Sequence, residues 1–147
     1  MTITCIMTLL MNKHCFIDTG AYLSLFYVKD NYHSSSLKIW NKILDSNIQT
    51  VITNHIIDET ATLLSRRTNN LFAATKVDKI YQSNTRIYRP NQQEEEKALI
   101  LFKKYADQRI SFTDCLSFVV MKKLKVKQVF SFDKHFRFAG FDLLSDN

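Results

Sequence analysis

Glycine and proline are nearly missing from this chain, with two of the first and one of the second among 147 residues. A sandwich or barrel built from many tight turns needs more of both. Long helices joined by short loops are expected instead. Cysteine is scarce as well: Cys5, Cys15 and Cys115 form no CxxC pair, and their number is odd. The expected state is reduced thiol, with Cys15 and Cys115 buried as small hydrophobes in a reducing compartment such as the cytoplasm. No run reaches the roughly 18 apolar residues that span a membrane, so no membrane partner is expected. The opening segment, Met1 to Leu10, is apolar but lacks a basic n-region and a small-residue cleavage site, so it is not read as a signal peptide. No internal repeat and no low-complexity linker divides the chain.

What remains is enough for one domain. An apolar share of 46% and a charged share of 23% close a core without disulfide staples. A start at Met11 suits the domain equally well. Residues 1–10 are therefore read as a dispensable extension, and residues 11–147 as a single domain. The net charge is +6, unevenly held: residues 1–65 sum to −1 and residues 66–147 to +7. A basic half favours a polyanionic partner, although solubility through net charge explains it about as well.

Short apolar or β-branched runs at Cys15 to Asp18, Gln49 to Thr53, Thr85 to Tyr88 and Val126 to Phe130 predict strands, with a short fifth over Phe141 to Leu144. Helical spacing predicts helices over Ala21 to Lys29, His33 to Ser46, Ile56 to Ser65 and Leu71 to Ser83. Leu37, Trp40 and Leu44, with Ile43 beside them, form the expected inner face of the second. Trp40 and the phenylalanines are assigned to the core. Asn91 is expected to cap a helix with Glu94, Glu95 and Glu96 in its first turn, and Thr113 to cap another from Asp114 to Leu124. Strands alternating with helices imply a parallel sheet with right-handed crossovers.

The acids carry the functional argument. Ligands of open α/β sheets bind beyond the carboxyl ends of the strands. Asp18 ends the first strand, Asp133 follows the fourth, Glu59 lies in the first turns after the second, and Asp114 opens the helix before the fourth. Glu59 shares a helix face with Ile56 and Leu63, and Asp114 with Phe118 and Met121. Acids on an apolar stripe are costly unless neutralised, and a divalent cation with hard oxygen ligands, Mg²⁺ or Mn²⁺, would do this. Such a cation also orients water and offsets charge on a phosphate. Each acid has a plainer reading. Asp18 fits as a helix cap, Asp114 as favourable N-terminal charge, Glu59 as a partner of Arg66 or Arg67, and Asp133 as a turn residue. Asp30 and His33 form a weaker metal pair, and His135 is read as packed or solvated. Arg66, Arg67, Lys134 and Arg137 are candidates to flank a phosphate. Spacing assigns no histidine to Cys15 or Cys115 as a catalytic base.

Four blocks of the chain together resemble the PIN-domain family: Phe16-Ile-Asp-Thr-Gly-Ala21, Thr53-Asn-His-Ile-Ile-Asp-Glu-Thr60, Ser111-Phe-Thr-Asp-Cys-Leu-Ser117, and Phe130-Ser-Phe-Asp-Lys-His-Phe136 followed by Ala139-Gly-Phe141. Their order and spacing hold across nearly the whole chain from Met11. Gly20, where many members carry a larger residue, is a minor departure. The resemblance implies a three-layer α/β/α fold and Mg²⁺- or Mn²⁺-dependent cleavage of RNA. Asp18, Glu59, Asp114 and Asp133 would be the acids at the metal, with Thr113 as a supporting hydroxyl. Small stand-alone members are often VapC-like toxins with a separate antitoxin chain, commonly homodimers. Two other classes stand beside this reading. A catalytically silent RNA- or protein-binding module would keep the fold without the chemistry. An aspartic protease would explain Asp18-Thr-Gly, but needs an all-β fold rich in glycine turns. A haloacid-dehalogenase-type phosphatase would want a second Asp where Gly20 stands.

Overall fold

In the computed structural model, which describes residues 1–5 and 13–147, the short apolar runs become five strands. They are β1 (His14–Ile17), β2 (Gln49–Thr53), β3 (Arg86–Tyr88), β4 (Gln128–Phe130) and β5 (Asp142–Leu143). Between them lie α1 (Thr19–Phe26), α2 (His33–Asp45), α3 (Asn54–Arg67), α4 (Asn70–Gln82), α5 (Gln92–Lys104), α6 (Phe112–Leu124) and the single turn α7 (His135–Phe138). Half of the extension expected over residues 1–10, residues 6–10, falls outside the described residues. Met1 to Cys5 are exposed.

All pairings are parallel, in the order β3-β2-β1-β4-β5. Helices flank the sheet to give the expected three-layer α/β/α arrangement. α3 packs on α1 and α4, and α5 on α6. An all-parallel, helix-covered sheet is not the all-β frame that an aspartic protease requires. β1 is central and, apart from His14, wholly buried. Around it close Phe16, Ile17, Ile52, Ile56, Leu116, Phe118, Phe130 and Phe136, each essentially without exposed surface. β1 connects outward to β2 on one side, while its other neighbour, β4, connects outward to β5. The strand order therefore reverses between β1 and β4, and the crevice beyond their carboxyl ends is where such sheets hold ligands.

Local chemistry sets the helix starts. Thr53, Asn69, Asn91 and Ser111 each accept a backbone N–H of the first turn. Asn91 with Glu94, and Ser111 with Asp114, form reciprocal capping boxes. The cap of α6 is thus Ser111, not Thr113 as expected, and the helix begins at Phe112. The serine stands three residues before an acid that can return the bond, and this pair outweighs the nearer threonine.

The inner face of α2 also differs from expectation. Ser36, Ile39 and Ile43 are buried, whereas Leu37 is 43% and Leu44 58% exposed, with Trp40 half-buried. Ser36 breaks the apolar pattern in the sequence, yet it goes inside because its hydroxyl donates to the His33 carbonyl at 2.7 Å. A hydroxyl satisfied within its own helix turn costs little to bury. Two phenylalanines assigned to the core are also exposed: Phe138 packs edge-on against Tyr105, and Phe102 against Phe112.

Candidate active site

Asp18 leaves β1 at the N-cap position of α1, but its carboxylate caps nothing. The register that pairs Ile17 with Phe130 brings β4 alongside, and the Asp18 N–H donates to the Phe130 carbonyl at 3.0 Å. The residue that follows that strand, Ser131, donates its hydroxyl to Asp18 Oδ2 at 2.8 Å. Ser131 Oγ in turn accepts the Asp133 N–H at 3.0 Å. One buried serine thus ties the first acid to the backbone of the fourth. Sequence reasoning passed over Ser131. The available signal was a hydroxyl two residues before an acid at a strand end, where Ser and Thr fold back on the following N–H groups.

Burial, with the charge of Asp114 next in size, pushes the Asp18 carboxyl from its ordinary 3.8 up to about 7. The Ser131 hydrogen bond works against that shift, and Glu59 adds to it. Asp114 sits in the first turn of α6. Its Oδ2 accepts the Ser111 N–H at 2.9 Å, while its own N–H donates to Ser111 Oγ at 3.1 Å. Its carboxyl is also raised, chiefly by burial; the Ser111 bonds oppose this, and the charges of Asp133 and Glu59 add to it. Glu59 is half-buried in α3 and forms no ion pair among the described residues. Asp133 Oδ1 accepts the His135 N–H at 2.9 Å. It also lies 2.7 Å from His135 Nδ1, a close contact without an aligned hydrogen bond.

The fold therefore brings the four acids within electrostatic reach at one sheet edge. They do not form a closed cage: among the described residues no three His, Cys, Asp or Glu side chains are set to enclose a cation. Thr113 stands half-buried beside Asp114. A Cβ added at Gly20 would meet only Asp18 Oδ2, at 3.8 Å, an ordinary contact that makes this departure sterically neutral.

The plainer readings divide. Asp18 is not a cap. Asp114 is both a capping residue and a member of the acid group. Asp30 is taken by Arg67 at 3.1 Å, and His33 Nδ1 meets the Ser24 carbonyl at 2.7 Å, so neither waits for a metal. Arg67 is thereby engaged away from Glu59, whereas Lys134 and Arg137 are exposed just after Asp133. His135, expected to be packed or solvated, stands against Asp133. Burial pushes the Cys15 thiol up to about 12 and the Cys115 thiol to about 11, so neither supplies a thiolate.

The PIN-domain pattern matches residues 15–141, all four acids included. The chain belongs to the PIN-domain family. Its relatives within that family are VapC proteins. The 23S rRNA-specific endonuclease VapC20 of Mycobacterium tuberculosis (strain H37Rv) is 30% identical over 127 residues, covering 86% of this chain and 94% of the relative. A VapC ribonuclease of Archaeoglobus fulgidus is 33% identical over 130 residues, covering 82% of this chain and 77% of the relative. This PIN domain also superposes on the crystal structure of M. tuberculosis VapC20, a sarcin–ricin-loop-cleaving toxin, with a TM-score of 0.82. Identity there is 26%, over 89% of this chain and 98% of that one.

Proposed function

We propose that this PIN domain is a divalent-metal-dependent endoribonuclease, the toxin of a toxin–antitoxin pair, acting on RNA in the cytoplasm. The observation that carries the reading is the buried Asp18–Ser131–Asp133 linkage, with Asp114 and Glu59 close enough to raise carboxyl pKa values. The VapC relatives supply the class of reaction. A separate antitoxin chain and a homodimeric state belong to the same proposal.

The donors fit a hard cation. Every candidate ligand is a carboxylate oxygen, and mutual repulsion together with burial leaves a charge deficit that a divalent ion relieves. Thr19 Oγ1 and Asn54 Oδ1, just past the ends of β1 and β2, are buried there without hydrogen-bond partners. An open group suits Mg²⁺, which keeps several waters and takes only one or two carboxylates. Asp18 and Asp114 would hold the ion, with Asp133 and Glu59 completing its surroundings and Thr113 supporting Asp114. When bound, Mg²⁺ or Mn²⁺ acidifies water and offsets phosphate charge. Ser131 keeps Asp18 and Asp133 at fixed separation, Ser111 holds Asp114, and Lys134 and Arg137 attract the RNA backbone. No covalent protein intermediate is required.

The test incubates purified, antitoxin-free protein with ribosomal RNA in Mg²⁺ or Mn²⁺ and in EDTA, for wild type, Asp18→Asn and Asp114→Asn. Cleavage by wild type that is lost in EDTA and in both folded variants is the expected outcome. Persistence in EDTA or in Asp18→Asn would reject the mechanism. No cleavage of any RNA by well-folded wild type would favour the silent binding module.

A further inference from the structure

Beside the acids lies a cavity of about 310 Å³ whose lining includes Tyr32, Ser131, Phe132 and Arg137. Phe132 sits in the chain between Ser131 and Asp133, the two residues that link β4 to Asp18. Its ring stacks on Tyr32 with centroids 4.4 Å apart and planes 9° from parallel. Tyr32 is 52% exposed, so the pair is open to solvent on the side of that ring. Tyr32 is nevertheless held in place. Its N–H donates to Asp30 Oδ1 at 2.9 Å, and Asp30 is in turn held by Arg67. Phe132 is backed edge-on by the buried Phe130 at 6.0 Å. Arg137 is exposed and has no ion pair among the described residues. Asp146 also lines the cavity, but its carboxylate already accepts the Ser35 hydroxyl at 2.8 Å.

A rigid, half-exposed aromatic face with a free guanidinium beside it is the arrangement that single-stranded RNA uses. Unpaired bases stack on such rings, and the adjoining phosphate meets the cation. We propose that Tyr32, stacked on Phe132, is the platform for one unpaired nucleobase next to the scissile phosphate, with Arg137 on that nucleotide's phosphate. This rests on the ribonuclease reading and adds to it that the RNA is cut where a base is unstacked from its neighbours.

The experiment walks a single abasic position across the cleavage site of a short RNA substrate. Wild type should lose about tenfold in kcat/KM at one flanking position, the scale of one stacked base. Tyr32→Leu should lose about tenfold on intact RNA and show no further loss at that abasic position. Tyr32→Phe should behave as wild type, and Arg137→Gln should weaken all substrates alike. The platform is overturned if Tyr32→Leu cleaves intact RNA as well as wild type does, or if it keeps the abasic penalty. Binding of the same oligonucleotides to the Asp18→Asn protein separates the two readings. If wild type cleaves nothing, the ribonuclease reading fails, while equal binding of intact and abasic RNA removes the platform on its own.

Discussion

Asp18 is the residue whose surroundings ask most of it. An aspartate at the start of a helix usually bends back to a backbone N–H, but this one faces Ser131 and the other acids instead. In the metal-free protein its raised pKa has a definite consequence for stability. Below about pH 4 the carboxyl is protonated in folded and unfolded chains alike and imposes no penalty. As pH rises from about 4 towards the folded value of about 7, the unfolded chain releases the proton and the folded one keeps it. Stability therefore falls across that window and is level above it. Urea midpoints in chelator should show wild type losing roughly 2 kcal/mol more than Asp18→Asn between pH 5 and pH 8. Equal losses in the two proteins would mean that Asp18 is not the group responsible. A divalent ion bound at Asp18 should restore more stability at pH 8 than at pH 5, because it binds the ionised form.

At the scale of elements, two helices begin in the same way with different consequences. Asn91 with Glu94 opens α5, and Ser111 with Asp114 opens α6. Replacing either cap by alanine should cost about 1 kcal/mol, read as a shifted urea midpoint. Only Ser111→Ala should also lower RNA cleavage, by up to about tenfold, because it releases the Asp114 N–H and loosens the turn that carries this acid, while residue 111 still donates its own N–H to the carboxylate. Asn91→Ala should leave cleavage unchanged. An equal loss of activity in both would show that general stability, not the placement of Asp114, is being measured. Asn91 was legible as a cap, whereas the cap of α6 was expected at Thr113 and lies at Ser111. Both lie within reach of the first turn, and only the reciprocal bond from Asp114 decides. In α2 the failure had another cause: pattern reading treats serine as outward, and Ser36 finds its acceptor inside its own turn.

For the whole molecule, the surplus of positive charge after residue 65 and the exposure of Lys134 and Arg137 predict salt-sensitive binding. Affinity of the Asp18→Asn protein for single-stranded RNA should fall by about tenfold or more between 50 and 200 mM salt. An affinity indifferent to salt would mean that the charge serves solubility. Among the described residues every element of the site lies after Met11, and a protein starting there should unfold at the same urea concentration and cleave at the same rate. A drop in either would give residues 1–10 a part in the domain.

The sequence by itself determined the alternation of strands and helices, the parallel sheet and the four acids just past strand ends or in the first turns of helices. Those features follow from period, β-branching and polarity, which each residue carries wherever it stands. Tertiary structure decided the rest. That Asp18 and Asp133 share Ser131 depends on the register of β1 against β4, strands separated by more than a hundred residues. That Tyr32 meets Phe132 depends on where the turn after α1 comes to rest. No local pattern encodes these neighbours, because they exist only once the strand order reverses between β1 and β4 and gathers distant segments into one crevice.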